Sequence, residues 1–161
     1  MVDFEAIYRT YAPGVYRYAY WLAGDRFEAE DVTSETFARA WASVRPIRTA
    51  TLRAYLFTIA RNTYLERQRK GKREVALDDA QPSRAPGPDR VVAGRMELEQ
   101  IQSLLQTLPE IDRSAFILRV AHELTYAEIA SALDLSLSAA KVKVHRVRRK
   151  LLAARLQGEI H

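Results

Sequence analysis

This sequence of 161 residues contains two blocks of basic residues. The chemistry that their side chains indicate most clearly is the binding of a polyanion. Residues 45–73 contain nine lysines and arginines against one acidic residue, Glu66, and residues 141–155 contain seven against none. Residues 1–44 carry more acidic than basic groups, so positive and negative charges are segregated along the chain although the net charge is only +5. Concentrated positive charge of this kind is typical of nucleic-acid-binding proteins. The competing interpretation is a pair of solvated helix faces.

The second basic block falls within a helix-turn-helix pattern that spans Thr125 to Lys150. Thr125 and Glu128 have the spacing of a capping box, in which each side chain accepts a hydrogen bond from a free backbone N–H. Asp134 stands in the turn, where a left-handed residue is often needed, and Ser136 or Ser138 can cap the next helix. The apolar residues of that helix are spaced by four, three and four, and form one stripe: Ala140, Val144, Val147 and Leu151.

The outer face of this last helix is basic and therefore suits the major groove of duplex DNA. An ordinary helical hairpin with a solvated face is the competing interpretation. The residues predicted to contact the duplex are Ser138, Lys141, Val142, Lys143, His145, Arg146 and Arg149.

The elements that must position these residues are helical nearly throughout, because apolar residues recur at spacings of three and four. Pro13 and Gly14 are expected to divide the first stretch into two short helices. The later helices are predicted over residues 28–42, from 51 to about 70, over 95–108, and from Pro109 onward, before the helix-turn-helix. The predicted fold class is all-α.

A change in composition begins at Glu74. Residues 80–89 contain three prolines and a glycine and have no periodic apolar face, which is typical of a tether. We therefore predict two helical domains, over residues 1–73 and 95–161, joined by a flexible linker over residues 74–94. Two domains on such a link are expected to have no preset spacing.

The composition argues against several classes of protein. The sequence has no cysteine and three histidines, and Tyr126 stands where a zinc-protease motif beginning at His122 would need its second histidine. No cofactor, no metal and no enzymatic activity are therefore predicted. The first residues lack a signal-peptide pattern, and no apolar run is long enough to cross a membrane. The expectation is a cytoplasmic protein without membrane insertion.

The sequence resembles the extracytoplasmic-function sigma factors of bacterial RNA polymerase. Residues 29–41 are similar to region 2.2 of that family, and residues 56–64 with 67–70 to its regions 2.3 and 2.4. Residues 108–113 and 124–130, with the basic helix after them, are similar to region 4. These motifs occur in the order of the family and cover almost the whole chain apart from the linker.

The resemblance implies that region 2.2 docks on the clamp helices of core RNA polymerase. Glu28, Asp31 and Glu35 form an acidic face at helical spacing that suits such docking, with Phe37 and Trp41 supporting it from the core side. A plain solvated face is the alternative, and a metal site lacks a nearby histidine or cysteine. The polymerase flap is a further expected contact, and the family also allows an anti-sigma factor as partner.

The resemblance also implies that the fourth helix captures the −10 promoter strand as single-stranded DNA while the C-terminal helix binds the −35 element as duplex. Capture of a melted strand calls for cations along the backbone and for flat or amide groups that hold unstacked bases. Phe57 is expected in the core, and residues 44–52 correspond to a loop that receives a flipped base. The residues assigned to the −10 strand are Arg61, Asn62, Tyr64, Arg67, Arg69, Lys70, Lys72 and Arg73.

The predicted function is that of an alternative sigma factor that binds core polymerase, recognises the −35 and −10 elements and assists promoter melting. The alternative is a dimeric helix-turn-helix regulator that binds duplex operators. That alternative shares the C-terminal block but gives no reason for Arg61, Asn62 and Tyr64 and the basic residues after them.

Overall fold

The computed structural model describes residues 3–43, 51–77 and 93–158. The predicted linker segment 80–89 and most of the predicted base-accepting loop lie outside the described residues. The all-α prediction is confirmed, since the described residues contain helices and no strand. The helices are α1 (Phe4–Ala23), α2 (Arg26–Ala42), α3 (Leu52–Leu77), α4 (Ala93–Gln106), α5 (Glu110–Val120), α6 (Tyr126–Leu133) and α7 (Leu137–Leu156).

The first helix corrects one prediction, because Pro13 lies inside a single α1 rather than between two short helices. A proline in a helix interior costs about 3 kcal/mol. Its ring lies on the exposed side here, while Val15 and Leu22 on the other face are almost fully buried. Tertiary burial of that face therefore offsets a local preference to end the helix. α1 ends at Gly24, whose φ of 74° is the left-handed conformation that glycine adopts readily.

The N-terminal domain is a three-helix packing of α1, α2 and α3. Its core contains Val15, Val32, Phe37 and Leu56, each about 1% exposed or less. Phe57 is also buried, as predicted. α3 continues to Leu77, beyond the predicted end near residue 70, so the basic residues at its C-terminal end project from an unbroken helix.

The C-terminal domain contains α4 to α7 and confirms the helix-turn-helix. Both capping-box bonds are present: the Glu128 backbone N–H donates to Thr125 Oγ1 at 3.1 Å, and the Thr125 backbone N–H donates to Glu128 Oε1 at 2.9 Å. Asp134 is left-handed with φ 55° and ψ 53°. Ser136 caps α7 by accepting from the Ala139 backbone N–H. These local signals fix the angle at which α7 leaves the turn.

The two domains pack against each other along a surface that we call the seam, where α1 and α3 meet α5 and α6. The hydroxyls of Tyr18 and Ser114 are hydrogen-bonded there, deep in the interior. Arg113 donates to the Leu22 carbonyl at 3.1 Å and to the Tyr64 hydroxyl at 3.2 Å. One continuous apolar cluster includes residues of both domains. The expectation of domains with no preset spacing is therefore wrong for this structure, in which the seam fixes their relation.

Candidate nucleic-acid and polymerase interfaces

The outer face of α7 is an exposed basic surface. Ala140, Val144 and Val147 are fully buried and set the rotation of the helix. The opposite face therefore points to solvent, as the apolar spacing predicted. Val142 is 52% exposed among cations. The predicted −35 residues on this exposed face are Ser138, Lys141, Val142, His145, Arg146 and Arg149.

A shallow groove of about 820 Å³ lies along this face. Tyr126, the first residue of α6, forms part of its wall together with Lys141 and Val142. The Arg119 guanidinium lies 4.4 Å from the centre of the Tyr126 ring, and the Lys141 ammonium lies 5.9 Å from it. Such cation–π contacts hold a long side chain in one direction. Tyr126 is not among the predicted −35 residues, because its ring meets Lys141 across two helices and no spacing along one helix indicates that contact.

Lys143 differs from its neighbours on α7 because it is partly buried against α5. Its ammonium lies 3.3 Å from Asp112 Oδ1, and Arg146 Nη1 lies 3.5 Å from Asp112 Oδ2. Asp112 is only 3% exposed. A buried carboxylate thus holds two of the predicted DNA contacts within their own domain, so Lys143 is less available to a phosphate than the outer cations.

Two of the predicted −10 residues lie in the seam. Arg61 pairs with Glu110 in a two-pronged arrangement, with Nε to Oε1 at 2.7 Å and Nη2 to Oε2 at 2.9 Å. Burial acts against the charge of Arg61, but the hydrogen bond and the charge of Glu110 outweigh it and raise the pKa of the guanidinium. Tyr64 is 6% exposed. Burial also raises the pKa of its hydroxyl, with Arg113 acting in the opposite direction.

Five of the other predicted −10 residues lie on the open part of α3. Asn62 lies between the two seam residues along the chain, and the four cations follow them toward the end of the helix. These exposed residues are Asn62, Arg69, Lys70, Lys72 and Arg73.

Arg67 and the predicted polymerase-binding acids form one network between α3 and α2. Arg67 Nε lies 2.7 Å from Glu28 Oε1, and its Nη2 lies 3.0 Å from Asp31 Oδ2. Glu35 pairs with Arg39 at 2.8 Å and lies 3.8 Å from Arg67. Arg67 was predicted to bind DNA and the acids to bind polymerase, but the structure brings them together. The pKa of Arg67 is raised, mainly by its hydrogen bond to Glu28.

An aromatic cluster adjoins this network at the C-terminal end of α2. Phe37 is buried as expected, but Trp41 is 45% exposed and does not lie in the core. Phe4 and Tyr8 of α1 pack near the Trp41 indole, with ring centres 5.7 Å and 6.3 Å away. Phe4 and Tyr8 are also more than 40% exposed. The cluster gives α2 an apolar surface beside its charged one.

His122 lies on the C-terminal side of the seam and faces Phe57, with ring centres 4.8 Å apart. A cavity of about 310 Å³ opens beside it, lined also by Arg17 and Arg53. His122 Nε2 is buried and has no hydrogen-bond partner among the described residues. Burial, reinforced by the charges of Arg17 and Arg53, lowers the pKa of His122 to about 4. The imidazole is therefore neutral in this arrangement.

Within residues 3–43, 51–77 and 93–158, no group of three or more histidine, aspartate or glutamate side chains is placed to hold a metal ion. The same residues contain no helix that is long and apolar enough to span a membrane.

Comparisons with known proteins give the same order of two helical regions. The family description of sigma-70 region 2 matches residues 7–74, and that of sigma-70 region 4 matches residues 98–151. The chain is 30% identical over 156 residues to the ECF RNA polymerase sigma factor SigM of Bacillus subtilis, covering 96% of each. It is 33% identical over 156 residues to the ECF sigma factor SigE of Mycolicibacterium smegmatis, covering 94% of this chain and 61% of SigE. The chain thus spans about three fifths of the length of SigE.

A solved structure of the sigma factor RpoE from Bartonella quintana, in complex with the anti-sigma factor NepR, resembles this one with a TM-score of 0.80. The identity is 28%, and the match covers 92% of this chain and 94% of RpoE. The chain belongs to the sigma-70 family of RNA polymerase sigma factors, and within it to the extracytoplasmic-function group of alternative sigma factors for transcription initiation. The resemblance drawn from the motifs is thereby confirmed. Sigma factors are regulators of transcription rather than enzymes.

Proposed function

We propose that this sigma factor recognises two promoter elements with two separate surfaces, and that core polymerase holds those surfaces at the required distance. The outer face of α7 binds the −35 element as duplex, and the open part of α3 binds the −10 strand as it melts. The main support is the outer face of α7, where Lys141, Arg146 and Arg149 surround an exposed valine.

The chemistry of α7 separates two kinds of contact. Val142 near the start of the helix can contact a thymine methyl in the major groove, which is a base-specific interaction. Arg149 lies two turns further along and meets phosphate, which fixes position without reading sequence. The groove beside Tyr126 follows the same face and continues the surface that the backbone of the duplex would cross.

The chemistry of α3 suits a single strand. Arg69, Lys70, Lys72 and Arg73 provide cations along the helix, and Asn62 provides an amide that can pair with a base edge. Trapping melted bases offsets part of the free energy of unpairing and so assists opening. Arg61 and Tyr64 join this surface only after the seam has separated, because Glu110 and Arg113 of the C-terminal domain bind their polar groups.

Docking on polymerase is assigned to the exposed side of α2. The side chain of Asp31 is 62% exposed although it contacts Arg67, so its negative charge is accessible to a basic partner. The aromatic cluster of Phe4, Tyr8 and Trp41 adds apolar area beside it, and aromatic residues are enriched at interfaces. We assign this surface to the clamp helices of core polymerase, and the C-terminal domain to its flap.

An anti-sigma factor is proposed as a further partner. The support is the similarity of both domains, in their packed arrangement, to RpoE in its complex with the anti-sigma factor NepR. An inhibitory protein that copurifies with the chain from its native host and suppresses promoter-dependent transcription is expected. Copurification of polymerase alone, with full activity, contradicts this part of the proposal.

The experiment that tests the function is transcription reconstituted from core polymerase, with and without the protein, followed by mapping of the start sites. Specific initiation downstream of matched −35 and −10 elements is expected. Failure to stimulate any native promoter contradicts the proposal.

Capture by core polymerase in the absence of DNA separates this function from that of a dimeric operator-binding regulator. A sigma factor binds the polymerase without DNA, whereas an ordinary regulator requires its operator.

A further inference from the structure

The first turn of α5 carries two acidic residues that reach cations from both DNA-binding surfaces. Glu110 crosses the seam to Arg61 of α3. Asp112, two residues later, turns toward Lys143 and Arg146 of α7. The contacts of Asp112 stay inside the C-terminal domain, so they persist whether or not the domains separate. The contact of Glu110 exists only while the domains are packed together.

The pair of Glu110 and Arg61 has the geometry in which a guanidinium binds a phosphate. Both carboxylate oxygens accept from the fork of Arg61, at 2.7 and 2.9 Å. Carboxylate and phosphate are bound by this fork in the same two-pronged way. The side chains are only 15% and 19% exposed. A phosphate therefore cannot reach the fork of Arg61 until Glu110 has left it.

A neighbouring contact ties a second predicted −10 residue to the same helix. Tyr64, three residues after Arg61 along α3, accepts a hydrogen bond from Arg113 at 3.2 Å and is almost fully buried. The bond between Tyr18 and Ser114 anchors α5 beside it. Movement of α5 away from α3 therefore breaks the bond of Arg113 to Tyr64 together with the ion pair of Arg61 and Glu110.

We propose that the first turn of α5 is an internal competitor of the promoter strand, in which Glu110 takes the place of a phosphate on Arg61 while the domains are packed. The inference rests on the proposed function of α3 as the binding surface for the −10 strand. Separation of the seam exchanges the Glu110 carboxylate for the DNA backbone. The packed chain by itself has low affinity for single-stranded DNA, and the open chain has a higher one.

The test compares Glu110→Gln with Glu30→Gln in the full-length chain. Both substitutions remove one negative charge from the same protein, but Glu30 lies exposed on α2. The measurement is the affinity for a short fluorescein-labelled single-stranded DNA by fluorescence anisotropy. Loss of a charge-assisted pair should tighten binding by about tenfold in Glu110→Gln, while Glu30→Gln changes it by less than about twofold. Equal effects of the two substitutions would overturn the proposal.

A third variant identifies the cation responsible. Addition of Arg61→Gln to Glu110→Gln should remove most of the gain, because the released guanidinium is then absent. If the double variant keeps the full tenfold gain, Glu110 is not competing for Arg61 and the proposal fails.

Separation of the domains can be followed directly, since the chain has no cysteine and accepts a pair of dyes at introduced ones. Ser34→Cys in α2 and Ser131→Cys in α6 are both at exposed positions. Energy transfer between the dyes should fall when single-stranded DNA is added, and Glu110→Gln should lower the DNA concentration that is required. Bound DNA with unchanged transfer would overturn the competition. Stimulation of transcription by the unmodified chain is measured separately, so the proposed function can stand when this inference fails.

Discussion

Substitution of Arg113 by methionine should destabilise the packed chain by about 3 kcal/mol. Arg113 is 6% exposed and donates three hydrogen bonds: to the Leu22 carbonyl at 3.1 Å, the Leu108 carbonyl at 2.9 Å and the Tyr64 hydroxyl at 3.2 Å. Hydrogen bonds from a charged group contribute about 1.5–3 kcal/mol each. Methionine keeps the apolar stem and removes the cost of burying a cation, so the net loss is smaller than the sum of the three bonds.

The assay is urea unfolding followed through the fluorescence of Trp21 and Trp41, the two tryptophans of the chain. Two of the three bonds of Arg113 cross the seam, so the unfolding midpoint should fall and the transition should broaden as the domains come apart separately. Arg148→Met is the matched control, since Arg148 is exposed on α7. A loss below about 1 kcal/mol in Arg113→Met, or an equal loss in the control, would refute the reasoning.

Three further predictions concern pH and the −35 surface. Because the pKa of His122 falls to about 4 in the packed state from about 6.5 in an exposed one, an open or unfolded chain binds its proton first, and stability should fall as pH drops from about 6.5 toward 4. His122→Phe should flatten a plot of melting temperature against pH in that window, and an unchanged slope contradicts the assignment. Val142→Asp should impair −35-dependent transcription while capture by core polymerase persists, and equal promoter activity speaks against a base contact. Arg149→Ala should weaken duplex binding for all sequences and lower the slope of log affinity against log salt by about 1. A loss of affinity for one DNA sequence alone would contradict this assignment.

The helix-turn-helix was predictable from sequence because its determinants are local. The capping box at Thr125, the left-handed Asp134 and the stripe from Ala140 to Val147 act within a few residues, and the structure shows each of them. The error at Pro13 has the opposite origin. A proline is a local signal, and burial of the rest of α1 against the other helices outweighs it.

The seam was not predictable because its determinants are far apart in the chain. Tyr18 and Ser114 are separated by 96 residues, and Arg61 and Glu110 by 49. Composition gives Arg61 and Tyr64 as residues suited to DNA, but it carries no information on which of them another domain covers. The same holds for Arg67, whose charge is matched by acids on a neighbouring helix. The domain boundaries and the assigned roles of individual site residues stay predictions.

The makeup of the seam has a consequence for the solubility of the chain. The polar bonds that cross it join hydroxyls, guanidinium groups, the carboxylates of Glu110 and Glu128, and backbone carbonyls. Water can form hydrogen bonds with each of these groups when the domains separate, whereas exposed apolar surface promotes aggregation. Interfaces that form and dissolve repeatedly are more polar than permanent ones for the same reason. The apolar cluster shared by the two domains acts in the opposite direction, because separation exposes buried side chains such as Leu22 and Leu118. The open chain should therefore aggregate more readily than the packed one unless DNA or a protein partner covers that surface.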